Sequence, residues 1–250
     1  MRHILIIGMG PGDPDQITVQ AVKALNRADV IFLPNKGDEK QALRAQRQAV
    51  CARHLTSKTC RFVDFAMPRR RDDGAYDAEV GDWHAEIAAL YAALFARELG
   101  ADGCGAFLVW GDPALYDSTL RVIDALRAQG MALDVEIVPG VTSVQALAAR
   151  HRVALNEIGG SVHITTGRRL AAGGMPAEAT VVVMLDGQQA FQAVTDTATE
   201  IFWGAYVGMA EEMLIAGPLA EAGPEIVRAR AKARQANGWI MDSYILRKTK

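Results

Sequence analysis

Apolar residues near the start of the chain fall in short unbroken blocks, separated by stretches with a different period. Residues 4–7 (ILII) are apolar without a gap and too few for a helix, so they read as a strand buried on both faces. Residues 19–25 carry helical spacing behind Thr18, a plausible N-cap, and residues 30–33 form a second strand block. Ala and Leu content marks residues 41–55 and 80–99 as helices, with strands expected at 61–65 and 105–110. Residues 119–128 place Leu120, Ile123 and Leu126 on one helical face, and a further strand at 135–138 ends on Pro139-Gly140. About five strands alternate with helices, which makes the sheet parallel if the crossovers follow their usual hand.

The texture changes beyond Pro139. One helix (143–150) precedes expected strands at 161–166, 180–185, 201–207, 212–216 and 239–246, with fewer helices between them. The fold class is therefore α/β with two domains: a mainly parallel sheet with helices over residues 1–141, and a mixed α+β domain over 142–250. No internal repeat is present, and the least compact stretch is PRRRDDGAYD at 68–77.

Half of the 250 residues are hydrophobic, enough for a sizeable core. Lys plus Arg number 27 against 29 Asp plus Glu, and the net charge of -2 without long runs of one sign argues against a nucleic-acid partner. Three scattered cysteines, Cys51, Cys60 and Cys104, fit neither a disulfide framework nor a metal site and point to a reducing cytoplasm. No stretch approaches the roughly 18 apolar residues of a membrane span, so neither secretion nor insertion is expected.

GMGPGDPDQIT, at 8–18, sits where a dinucleotide loop would. Such a loop needs a third glycine, where this chain has Asp13, and an acidic residue closing the second strand, where it has Pro34. Asp13 would repel a pyrophosphate and Pro11 removes an N–H from the cradle, while no Gly-Lys-Ser/Thr follows to make a phosphate loop. A tight turn without a ligand is the plain alternative. Three other stretches, VWGDPALYDS (109–118), VPGVTS (138–143) and VVVMLDG (181–187), also close expected strands, at the sheet edge where open α/β folds bind ligands. Gly111 and Gly140 permit close approach, Pro113 and Pro139 stiffen the turns, and Thr142 and Ser143 bring hydroxyls to a helix start.

GMGPGDPDQIT, GDPALYDS and VPGVTS, followed in order by AGPL at 216–219, resemble the S-adenosylmethionine-dependent tetrapyrrole methylases. Within that family, FLPNKGDEK, DWH at 82–84, LNEIGGSVHITTGRRL, WGAYVG and GWIMDSYILR resemble the deacetylating precorrin methylases of cobalamin biosynthesis. The resemblance implies two α/β domains with S-adenosylmethionine in the cleft between them, a homodimer, and S-adenosylhomocysteine as product. It further implies methylation of carbon 1 of precorrin-5, with the acetyl group lost as acetate to give precorrin-6A. By the same resemblance Pro11, Gly111, Asp112, Tyr116, Thr142, Ser143, Met184 and Leu185 line the cofactor pocket, with Trp239 and Ile240 as further candidates from the last strand.

A cationic sulfonium removes the electrostatic conflict at Asp13 and Asp112 that a phosphate would create. Methyl transfer to an electron-rich carbon draws on positioning and desolvation, whereas acetyl removal calls for a base to activate water and a donor for the oxyanion. Candidate catalytic residues are Asp112, Tyr116, His163 and Asp186. Asp112 serves equally as a turn cap, Tyr116 as a helix anchor, Met184 as core, and His163, like His84, as a satisfied or edge histidine. A precorrin carries many carboxylates, and Arg69, Arg70, Arg71, Arg152, Arg168 and Arg169 are candidates to bind them, the first three equally readable as a solvated loop. Three alternatives stay open: methylation at a different ring carbon, methylation of ribosomal RNA or a protein, and a nucleotide-binding regulator without catalysis.

Overall fold

The computed structural model describes residues 1–35, 41–68, 76–176 and 179–248. The chain forms two compact units, Met1–Thr142 and Ser143–Lys250.

In the first unit, β1 (Arg2–Gly8), β2 (Val30–Asn35), β3 (Arg61–Ala66), β4 (Cys104–Val109) and β5 (Leu133–Val138) alternate with α1 (Val19–Leu25), α2 (Gln41–His54), α3 (Tyr76–Glu98) and α4 (Thr119–Ala128). All strand pairs are parallel, in the order β3-β2-β4-β1-β5. The position of β1 between β4 and β5, covered on both faces, explains its unbroken apolar run. Ile4 and Ile6 face a layer built from α3 and α4, while Leu5 and Ile7 face α1 and α2, so neither side meets water. Thr18 caps α1 by accepting from the Ala21 amide at 3.0 Å.

The α3 side of the sheet holds an aromatic cluster. Phe107 stacks on Phe32 and Tyr91 at centroid distances of 5.1 and 4.6 Å, with Phe65 and Phe95 edge-on at 6.5 and 6.0 Å. On the opposite layer, burial pushes the Cys51 thiol up to about 12, with a smaller contribution from Cys60. The neutral thiol is thus favoured by folding, and the stability this contributes is lost as pH rises from about 9 towards about 12. We expect Cys51 to resist iodoacetamide in the folded protein at mildly alkaline pH and to react once urea unfolds it. Peptide mapping after a timed pulse checks this, and rapid labelling of the folded protein would contradict it.

The second unit contains α5 (Ser143–His151), β6 (Ser161–Thr166), α6 (Gly167–Gly173), β7 (Ala179–Met184), β8 (Thr199–Ala205), β9 (Met213–Pro218), α7 (Leu219–Asn237) and β10 (Asp242–Lys248). Its sheet order is β6-β7-β10-β8-β9, parallel only between β6 and β7 and antiparallel elsewhere. Two differences from the sequence reading matter. No helix is expected from the sequence over residues 219–237, yet the 19-residue α7 forms there and runs through Pro224. The last strand starts at Asp242, not at 239, so Trp239 and Ile240 lie in the connection behind Gly238, which ends α7 in a left-handed conformation. Among the described residues, no helix is long and apolar enough to cross a membrane and no cluster of potential metal ligands occurs.

Candidate functional site

The loops leaving the carboxyl ends of β1, β4 and β5 are locked to one another. Gly10 and Gly111 form an isolated bridge in which the Gly111 amide donates to the Gly10 carbonyl at 2.9 Å. A Cβ on Gly8 would lie 2.6 Å from the Gly140 nitrogen, and one on Gly140 would lie 2.2 Å from the Gly111 oxygen. Gly8 and Gly10 therefore serve backbone-on-backbone packing of these loops. Asp112 clamps the arrangement: Oδ1 accepts from the Ala114 amide at 2.8 Å and Oδ2 from the Gly140 amide at 2.9 Å. Asp13 accepts from the Asp15 amide at 2.9 Å and so caps the short 3₁₀ turn Pro14–Gln16. Past the GDP loop, Tyr116 takes a positive φ of 54° and is 43% exposed; partial burial raises its phenol pKa, so it remains a neutral donor near neutrality.

In the second unit the turn after β7 is built in the same spirit. Leu185 has a φ of 53° and is 66% exposed, displaying an apolar side chain at a strained position that costs on the order of 1 kcal/mol. Asp186, next in sequence, is buried. Its Oδ2 accepts from the Ala190 amide and the Tyr244 hydroxyl, both at 2.6 Å, and Oδ1 from the Gln188 amide at 3.1 Å. Tyr206, with a φ of 51°, donates through its hydroxyl to the Trp239 carbonyl at 2.5 Å and stacks edge-on against that indole.

The family model for tetrapyrrole (corrin/porphyrin) methylases matches residues 3–223. The chain belongs to the tetrapyrrole methylase family. Among its relatives, the precorrin-6A synthase (deacetylating) of a Sinorhizobium species is 54% identical over 250 residues, spanning 99% of this chain and 96% of the relative. A solved structure of a protein related to cobalamin synthesis (CobF), from Corynebacterium diphtheriae, superposes with a TM-score of 0.84 at 38% identity and full coverage of both chains. A uroporphyrin-III C-methyltransferase from Thermus thermophilus, solved with S-adenosylhomocysteine, shares the fold at a TM-score of 0.56 and 19% identity, covering 98% of this chain and 91% of that one.

The candidate residues of this tetrapyrrole methylase fall into distinct settings. In the first unit Pro11, Gly111 and Thr142 are buried and Asp112 is half-buried, all at the interlocked loops. In the second, Ser143 begins α5 with its hydroxyl 3.4 Å from that of Ser243, Met184 ends β7 half-buried, and Trp239 and Ile240 are half-buried in the connection before β10. Asp186, a candidate base, is buried, and its carboxylate accepts from three donors, the Gln188 and Ala190 amides and the Tyr244 hydroxyl. His163 is exposed on β6, an edge strand, and Arg168 and Arg169 are exposed in the first turn of α6. Arg152 is exposed with a φ of 58° just past α5, while Arg69, Arg70 and Arg71 lie outside the described residues.

In the first unit, the half-buried carboxylates of Asp13 and Asp112 would repel a nucleotide phosphate and tolerate a cation. In the second unit, Leu185 presents apolar surface after β7 and Ser143 brings a hydroxyl to the start of α5. Sequence reasoning missed Arg230, Tyr244 and Asp242. The signal was available: Ala222, Ile226, Arg230 and Ala233 form one buried stripe of α7, with a charge set among apolar residues.

Proposed function

We propose that this protein is an S-adenosylmethionine-dependent C-methyltransferase of cobalamin biosynthesis, converting precorrin-5 to precorrin-6A with release of acetate. The observation that carries this reading is the 54% identity, over 99% of the chain, to a deacetylating precorrin-6A synthase. Bound S-adenosylmethionine supplies an electrophilic methyl group. Pro11, Gly111, Asp112, Tyr116 and Thr142 of the first unit, and Ser143, Met184, Leu185, Trp239 and Ile240 of the second, are the proposed cofactor contacts.

Water adds to the acetyl carbonyl, the carbon–carbon bond to the ring breaks and acetate leaves. The electron pair stays on carbon 1, which then takes the methyl. Locked loops help such a transfer by holding the reacting groups in line and keeping water from the carbanion-like carbon. Tyr116 as a neutral donor and His163 as a base are the proposed proton-handling groups, and Arg152, Arg168 and Arg169 the proposed partners of the substrate carboxylates. The proposed state is a cytoplasmic homodimer, which sedimentation at twice the chain mass would support.

Incubation with precorrin-5 and methyl-labelled S-adenosylmethionine tests the reading. One acetate released per methyl transferred is expected. Transfer without acetate would instead assign a different ring carbon, and binding of NAD or ATP with none of S-adenosylhomocysteine would overturn methyl transfer altogether.

A further inference from the structure

Beneath the turn at Leu185 runs a buried polar chain that no step of the reaction uses. Arg230, 7% exposed in the middle of α7, donates through Nη2 to the Asp186 carbonyl at 2.8 Å and through Nε to Asp242 Oδ2 at 3.0 Å. The same Asp242 oxygen accepts from the Trp203 indole at 2.9 Å. The Asp186 carboxylate, besides holding the Gln188 and Ala190 amides, takes the Tyr244 hydroxyl at 2.6 Å. Gly167 is pressed against it: a Cβ there would lie 2.2 Å from Asp186 Oδ1.

An ion pair this buried gives little net stability compared with apolar packing, but its geometry supplies another use. Asp186 follows strained Leu185, and Asp242 follows the segment Trp239–Met241, whose carbonyls at 239 and 241 accept from the Tyr206 hydroxyl and amide. Arg230 bridges these two stretches with one hydrogen bond to the Asp186 carbonyl and one to the Asp242 carboxylate, beside the Tyr244–Asp186 bond and the β7–β10 ladder. A left-handed leucine with an exposed side chain keeps its conformation only if its surroundings over-determine it, and here they do so from below. Burial and the bond to Asp186 both raise the Tyr244 phenol pKa, so its proton stays in place as a donor across the working range.

We propose that Arg230, with Asp186, Asp242 and Tyr244, is a positioning residue that fixes the Leu185 turn relative to Trp239–Ile240 and thereby sets the affinity for the cofactor. The inference rests on the methyltransferase reading, since it takes those two stretches as cofactor contacts. None of the four side chains needs to touch the cofactor or the precorrin.

The test is calorimetric binding of S-adenosylhomocysteine, paired with steady-state methyl transfer, for wild type, Arg230→Met, Arg230→Lys and Tyr244→Phe. Arg230→Met should bind about tenfold or more weakly, with KM for S-adenosylmethionine raised in step and kcat at saturation changed far less. Arg230→Lys should recover part of that loss, because an ammonium can replace one of the two bonds. A purely structural role would lower the folded fraction, read by thermal unfolding, without moving the affinity per folded molecule. Should Arg230→Met not fold, Tyr244→Phe decides: it removes one donor from Asp186 and leaves the ring packed, and a weaker affinity with an unchanged saturating rate is expected. Variants that fold and bind like wild type would overturn the positioning role alone. A wild-type protein that does not bind S-adenosylhomocysteine would instead remove the methyltransferase reading on which the proposal stands.

Discussion

Gly140→Ala is expected to abolish methyl transfer and to destabilise the first unit by about 3 kcal/mol or more, at the upper end of overpacking costs. The new Cβ would meet the Gly111 oxygen at 2.2 Å and the Gly8 Cα and carbonyl carbon at 2.8 and 2.9 Å. All three are main-chain atoms at the ends of β1 and β4, with no flexible side chain to swing aside. Relief requires the loops to separate, which breaks the bond from the Gly140 amide to Asp112 and leaves that carboxylate without one of its donors. Gly100→Ala is the matched control, since a Cβ there meets nothing within 4 Å and its φ is not positive. Urea denaturation and label transfer on the two variants check the contrast. A Gly140→Ala protein as stable and active as Gly100→Ala would mean that the loops are not interlocked.

Phe107→Ala should cost about 3–5 kcal/mol, the range for truncating a large buried aromatic. Phe107 is 4% exposed and touches four rings from β2, β3 and α3, so its removal opens a cavity that no single neighbour can fill. Against a typical domain stability of about 5–15 kcal/mol, that loss is a third or more for many proteins. Phe107→Leu keeps much of the volume and should lose clearly less. Equilibrium unfolding in urea gives both values; a cost below about 1 kcal/mol for the alanine variant would show that the cluster repacks.

Most of the first unit could be read from the sequence because its local signals agree with its tertiary setting. Residues 19–25 have helical spacing and a threonine that does cap them, and the run at residues 4–7 is apolar because β1 is covered on both sides. The second unit was harder. Gly223-Pro224 speaks for a turn, and only the packed stripe of α7 overrides it. Trp239 and Ile240 look like strand residues by β propensity, but Gly238 ends the preceding helix and the ladder begins only at Asp242. At the site, strand-end placement was legible and side-chain roles were not. Asp186 beside exposed Leu185 reads as a reactive carboxylate, and the sequence does not show the three donors that converge on it, of which Tyr244 is the most distant along the chain.

The order β6-β7-β10-β8-β9 also constrains how this protein can be made in a cell. β10 follows all the other strands of its sheet in sequence yet lies at the middle of it, paired with β7 on one side and β8 on the other. On the ribosome, the first unit can assemble as soon as β5 has emerged, but the second cannot complete its ladder until residue 248 has cleared the exit tunnel. A premature stop before Asp242 would leave β6–β7 and β8–β9 as two separate ribbons with open edges, so late nonsense mutations should yield aggregating chains instead of partly active ones.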